Sequence, residues 1–322
     1  MPTQNTVVVT TLEAPQGSPI SIFSWVLIFA TPAFWSINYL VARTAPAFVA
    51  PHMLAFTRWG LAALLLGLFA WPELKAKRHL IWAERWHCLA LGMLGMWMCG
   101  AWVYIGARTT SASNIALIYA LSPVFIALAA ALFLKEHLRK RQWLGVVLAL
   151  LGLVHVVIQG HWATIVNTEF VAGDGWIVGC AIAWAVYSIL LKRWPSPFSP
   201  LARLVLIGAA GAVFTLPLAL LEAASGMAYS QTVWGLTTVI IVLAAAVFPS
   251  SGAYLAYSLL QKNIGAARTA LVLYLGPLYA AALAWFALGE PLQVYHAIGA
   301  AVILPGIFLA SQSKSEFPPA RE

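Results

Sequence analysis

Ten apolar runs, each close to the length of a bilayer-spanning helix, leave this chain little choice of fold. They cover residues 22–42, 49–70, 86–107, 111–134, 143–158, 176–191, 201–221, 236–260, 266–288 and 294–310. A helix crossing the hydrocarbon core needs about 20 apolar residues, within a range of about 17–25. The spacers are too short for a soluble domain. Only 9% of the 322 residues are charged and 62% are hydrophobic. Soluble domains carry about 25% charged residues, so a polar surface cannot be built and lipid is the expected solvent. The net charge of +8 does not point to nucleic acid, because the basic residues lie between apolar runs rather than on one face.

Lys and Arg set the expected orientation. With the N-terminus in the cytoplasm, 15 of the 18 basic residues fall in inner segments. Arg43 and Arg108 fall outside, and Arg58 lies inside the second run. Both termini are therefore expected in the cytoplasm. Residues 1–21 and 312–322 read as disordered ends, and the first of these lacks the basic start of a signal peptide. Cys88, Cys99 and Cys180 form no CxxC pair and read as buried, inert thiols.

The chain repeats itself. ALFLKEHLRKRQWLGVVLALLG, from Ala131, matches AWFALGEPLQVYHAIGAAVILPG, from Ala284. Glu136 pairs with Glu290, Gly145 with Gly299 and Pro123 with Pro277, all at an offset of 154. FWSINYLVAR around Trp35 matches AWAVYSILLK around Trp184 at an offset of 149, and Pro51 matches Pro200 at the same offset. Five helices separate the copies. An odd number turns the second copy upside down, which explains why its matching loop has lost its basic residues. The expected fold is an all-α membrane protein of ten transmembrane helices in a five-plus-five inverted-topology repeat. Its halves are residues 22–160 and 161–311. Such repeats suit alternating access around a site near the membrane midplane.

Two aromatic–polar clusters are candidates for that site. Trp35, Asn38 and Tyr39 share one helical face, as do Trp184, Tyr187 and Ser188. Trp and Tyr suit a flat apolar solute with a polar end. Further candidates are Trp97, Trp102, Tyr104, Ser251, Tyr254 and Tyr257 in the third and eighth runs. The fourth and ninth runs add Asn114, Tyr119, Ser122 and Tyr274. Pro123 and Pro277 read as helix bends or gates. Ordinary helix packing is the competing account of each single residue. Arg58 needs a carbonyl, water or acidic partner at membrane depth. It either holds a substrate carboxylate or snorkels from a packing position. Trp25, Trp71, Trp82, Trp162 and Trp194 fall at run ends and read as interfacial anchors.

These features resemble the EamA-type drug/metabolite transporter superfamily over about residues 22–311. The resemblance rests on FWSINYLVAR, on Arg58, and on LSPVFIALAAALFLKEHL with its partner LGPLYAAALAWFALGEPL. Within it, the chain is most similar to the YddG type, exporters of aromatic amino acids from the bacterial cytoplasm. The resemblance implies export of small amphipathic metabolites across the inner membrane, with aromatic amino acids foremost. Another amino acid or a sugar-linked metabolite is the alternative solute. No Asp or Glu lies in the middle of a run, unlike the membrane-embedded Glu of the related small multidrug transporters, so facilitated movement is expected. No HExxH, GxSxG or P-loop occurs, and the histidines are scattered. No metal, cofactor or ATP is expected. A membrane enzyme acting on lipid-linked substrates is the alternative from another class. One chain already holds both halves of a pathway, so a monomer suffices.

Overall fold

The computed structural model describes residues 21–106, 108–110, 115, 118–135, 138–166, 169, 171–225, 231–288 and 291–311. Asn114, Glu136, Glu290, the two chain ends and the side chain of Tyr39 lie outside what is described.

The described elements are helical. In chain order we call them α1 (Ile22–Thr44), α2 (Pro51–Ala76), α3 (Arg78–Gly106), α4 (Ser122–Phe133) and α5 (Lys140–Val157). There follow α6 (Ala172–Arg193), α7 (Pro200–Ala224) and α8 (Leu236–Ile264). The ninth, α9, starts as Ala266–Ala270, passes through a 3-10 segment Leu271–Leu275 and resumes as Gly276–Leu288. The last, α10, is Val294–Ser311. Among the described residues, seven helices are long and apolar enough to cross a membrane, and three shorter apolar stretches accompany them. Phe69, Leu132 and Phe286 are 77%, 77% and 84% exposed. Apolar exposure on that scale fits a surface solvated by lipid.

Helices matched by the sequence repeat face each other. On α5 and α10, Gly145 meets Gly306 while Gly152 meets Gly299. Numbers rise on one helix as they fall on the other, so the pair is antiparallel. A Cβ on Gly145 would stand 2.5 Å from the Gly306 carbonyl oxygen, and one on Gly306 would stand 2.7 Å from Ala149 N. Only glycine allows backbones so close, the small-residue packing of helices in lipid. The same antiparallel sense joins α2 to α7, where Gly60 faces Ala212 and Gly67 faces Val205.

The ends of α2 and α7 are tied reciprocally. Glu222, near the end of α7, accepts the His52 N–H at the start of α2 at 2.8 Å. Glu73, near the end of α2, accepts the Ser199 N–H at 2.8 Å and its hydroxyl at 2.5 Å, where α7 begins. Pro51 and Pro200 open the two helices with their preset φ.

Four interruptions break the helical rhythm. α3 carries a π-helical stretch, Met93–Trp102, and α8 carries another, Ala246–Gly252. Pro123 is the second residue of α4, and Pro277 the second residue after the 3-10 segment of α9. Proline is at ease in a first helical turn, where its missing N–H has no partner to lose. α3 also begins earlier than its apolar run, at Arg78, because the polar stretch Arg78–Arg85 continues the helix beyond the hydrocarbon-length segment.

Candidate functional site

α1, α6 and the interrupted helix α8 converge on a block of aromatic rings. Trp35 of α1 lies 5.4 Å from Trp184 of α6, 5.9 Å from Tyr254 and 5.5 Å from Tyr257 of α8. Trp184 stacks on Tyr187 at 5.2 Å and touches Tyr254 at 5.4 Å and Tyr257 at 5.0 Å. Pairs three apart on α6 and α8 share a face, so two residues per helix reach the same block. Separations of this size, tilted or edge-on, are favourable aromatic geometry. Ser188 Oγ and Tyr257 Oη lie 3.0 Å apart. The repeat-matched clusters thus meet through Trp35 and Trp184.

The π-helical stretches help to shape this block. Wide turns leave carbonyls off the regular ladder, a feature frequent at functional sites. The Gly95 carbonyl accepts the Tyr254 hydroxyl at 2.8 Å. A Cβ on Gly95 would stand 2.8 Å from the Tyr187 ring, so glycine lets that ring lie against α3. Ser251 donates its hydroxyl to the Ala246 carbonyl at 2.7 Å, inside its own helix. That bond uses the proton of a residue the sequence suggested for ligand contact.

A polar layer caps one side of the rings. Arg58 is buried, donating from Nε to Ser250 Oγ at 3.0 Å and from Nη1 to Asn38 Oδ1 at 3.4 Å. Tyr104 also donates to Asn38 Oδ1, at 3.2 Å. The guanidinium lies 5.5 Å from the Trp59 ring centroid. Among the described ion pairs Arg58 has no acidic partner. It is therefore held by neutral oxygens and does not snorkel. A charge held this way retains affinity for a carboxylate.

The other candidates stand apart from the block. Trp97 and Trp102 pack edge-on at 5.4 Å, and their ladder continues to Phe214 and Trp176. Tyr119 packs against the separate cluster of Ile118, Ile177 and Ala181. Ser122 and Tyr274 are fully buried, and their hydroxyls have no hydrogen-bond partner among the described residues. Trp59, absent from the sequence reading, belongs to the block at 4.7 Å from Tyr254. Its position in mid-run, unlike tryptophans at run ends, was the available signal. Trp71, Trp82 and Trp162 are exposed. Trp194 instead stacks on His87 at 4.5 Å.

On the far side of the rings from Arg58 lies a cleft of about 280 Å³. Trp194, Arg203, Ser258, Gln261 and Lys262 are among the residues lining it. Among the described residues no group of His, Cys, Asp and Glu could hold a metal ion.

Comparison with known proteins bears on what this architecture does. The EamA-like transporter family profile matches twice, over residues 22–158 and 171–312. The uncharacterized transporter YyaM of Bacillus subtilis (strain 168) is 28% identical over 290 residues, covering 89% of this chain and 93% of that protein. A protein named "Probable terminal-alkyne amino-acid exporter", from Streptantibioticus cattleyicolor, is 26% identical over 292 residues, with 87% and 93% covered. A protein of known crystal structure superposes with a TM-score of 0.71 at 18% identity, over 89% of this chain and 97% of that one. It shares the fold. Two family matches on one chain whose described elements are helical, each spanning one copy of the internal repeat, lead to one conclusion: this protein belongs to the EamA-like transporter family and is a multi-pass membrane transporter, not an enzyme.

Proposed function

We propose that the chain exports small amphipathic metabolites, aromatic amino acids foremost, from the bacterial cytoplasm across the inner membrane. Ten helices form two five-helix halves of opposite topology, with both termini in the cytoplasm. The halves rock around a shared site between inward-open and outward-open shapes. Antiparallel pairing of repeat-matched helices supports this, since only an inverted second half presents α10 antiparallel to α5.

One observation carries the substrate class. An aromatic block drawn from both halves, with Trp35 against Trp184 at 5.4 Å, stands beside a buried arginine that has no acidic partner among the described residues. The rings suit a flat apolar side chain and Arg58 suits a carboxylate. The amino-acid exporter among the relatives is in keeping with this reading. Pro123 and Pro277 serve as the points where α4 and α9 bend during gating. Movement is facilitative, since no Asp or Glu lies in mid-run to carry a proton.

The test is uptake of radiolabelled phenylalanine into proteoliposomes. Saturable flux that tyrosine and tryptophan compete for is expected, with little response to an imposed pH gradient. Absence of saturable flux for every aromatic amino acid overturns the substrate assignment.

A further inference from the structure

Three cations line the cleft beside the α6–α7 turn. Lys192 stands at the end of α6, Arg203 in the first turn of α7 and Lys262 near the end of α8. No Asp or Glu is among its described lining residues. Lys192 and Lys262 are exposed and form no ion pair among the described residues. Like charges repel, so three of them around about 280 Å³ are better placed with an anion than without one.

Arg203 has a structural task that uses only part of it. It donates from Nη1 to the Leu191 carbonyl at 2.8 Å and from Nη2 to the Trp194 carbonyl at 2.7 Å. These bonds cap the end of α6, whose last carbonyls have no partner within the helix. Nε is left over: it is buried and has no partner among the described residues. Buried donors in native proteins are nearly always satisfied, so this one requires an explanation. Carbonyls are neutral and leave the guanidinium its charge. Ser196 and Ser258 add hydroxyls to the same lining.

Neighbouring side chains fix the depth of the cleft. Trp194, on its wall, stacks on His87 of α3 at 4.5 Å. Just before His87, α3 carries the exposed Trp82 and Trp86, and Arg85 lies 4.4 Å and 5.2 Å from their ring centroids. Exposed tryptophans of this kind mark the membrane–water interface. The cleft therefore opens at the level of lipid head groups, where α6 and α8 end and α7 begins. Trp194, Phe198 and Leu204 give it an apolar wall beside the cations.

We infer that the cleft binds the phosphate of an anionic phospholipid, with Arg203, Lys192 and Lys262 as its cationic partners. Basic pockets between transmembrane helices take such head groups, and Arg and Lys are the side chains that hold phosphate. The volume, about 280 Å³, lies just under the lower bound of about 300 Å³ for drug-sized ligands. It admits a head group, while the acyl chains stay on the apolar surface outside. Only the choice of leaflet, the cytoplasmic one, depends on the orientation proposed above.

Native mass spectrometry of the delipidated full-length protein tests this, by counting bound lipid as phosphatidylglycerol or phosphatidylcholine of the same acyl chains is added. The first phosphatidylglycerol should bind about ten- to hundredfold more tightly than phosphatidylcholine, the range of one charged hydrogen bond. Lys192→Gln combined with Lys262→Gln should lose about tenfold or more of that affinity, with thermal unfolding unchanged. Lys140→Gln combined with Arg141→Gln removes the same charge outside the cleft and should keep the preference. Arg203→Gln should lower it and Arg203→Lys should retain part of it, the lysine variant guarding against misfolding once the α6 carbonyls lose their cap.

Equal binding of the two lipids by the wild-type protein overturns the site. Equal losses in the cleft pair and the control pair also overturn it, because the attraction is then spread over the surface. Glycerol 3-phosphate has the phosphate but no acyl chain and should not displace phosphatidylglycerol at equal concentration. Displacement assigns the cleft to a soluble phosphate and overturns the lipid. None of these readouts uses transport, so the exporter reading and the lipid site fail separately.

Discussion

Glu73 and Glu222 stand 149 residues apart, and each carboxylate caps the helix that carries the other. Glu222 satisfies a free N–H at the start of α2, and Glu73 does the same for α7. First-turn N–H groups have no partner inside their helix, and an acidic side chain also favours the positive end of the helix dipole. Such reciprocity arises when two copies of one unit are related by a two-fold axis, so that a contact from one to the other recurs in reverse.

Neutralising either cap should therefore weaken the same helix pair by a similar amount. Glu73→Gln and Glu222→Gln are each expected to cost about 1–2 kcal/mol. Thermal unfolding in detergent reads this directly. Loss confined to one of the two would contradict the reciprocity.

Close approach of α5 and α10 makes a sharper prediction. A Cβ on Gly145 would meet the Gly306 carbonyl oxygen at 2.5 Å, and backbone cannot swing aside as a side chain can. Gly145→Ala should destabilise by about 1–3 kcal/mol, the range for overpacking. Gly175→Ala in α6 is the control, because nothing lies within 4 Å of its Cβ. It should be neutral or slightly stabilising, given the helix preference of Ala over Gly. Equal melting curves for the two variants would refute the packing argument.

Much of this was legible in the sequence, for identifiable reasons. The span requirement of a bilayer marked the apolar runs. The 149-residue offset brought Trp35 and Trp184 to matching places, and they meet in the block. Other features left no such trace. A π-helical turn has no residue signature of its own, so the Gly95 carbonyl was not foreseen as the acceptor for Tyr254. Ser251 looked available until its own helix took its proton. Trp97 and Trp102 lie within an apolar run as the site residues do, yet their rings turn to Phe214 and Trp176. The cleft joins the α6–α7 turn to the end of α8, about 60 residues further on, and periodicity within one run cannot report that.

The two tryptophan groups should differ in effect. Trp184→Ala removes the ring that touches Trp35, Tyr187, Tyr254 and Tyr257. Each such pair is worth about 0.5–1.5 kcal/mol beyond burial, so phenylalanine uptake should fall by at least about tenfold. Trp97→Ala, outside the block, should leave uptake within about twofold. Reversal of this order would move the site to the Trp97–Trp102 ladder.

Arg58 offers a test of charge against geometry. Its fork reaches Ser250 and Asn38 together, which a lysine ammonium cannot reproduce from one point. Arg58→Lys keeps the charge and should raise the half-saturating phenylalanine concentration by about tenfold, with maximal flux largely kept. Arg58→Gln should abolish discrimination between phenylalanine and phenethylamine. If the glutamine variant transports phenylalanine normally, Arg58 is a packing residue and the carboxylate is held elsewhere.

Orientation can be tested where the repeat is most explicit. Lys135 and Arg139 lie before α5 and Lys140 and Arg141 open its first turn, whereas the counterpart at the start of α10 carries no Lys or Arg. Basic loops stay on the cytoplasmic side, so the two loops should face opposite compartments. Lys140→Cys and Leu292→Cys place a thiol in each, in a background where Cys88, Cys99 and Cys180 are replaced. Leu292 is 52% exposed, so its thiol is open to reagent. In intact cells an impermeant maleimide should label position 292 and spare 140; in inside-out vesicles the pattern should invert. Labelling of both positions from one side would place the two loops in the same compartment. The antiparallel contact of Gly145 with Gly306 would then need an explanation other than inverted halves.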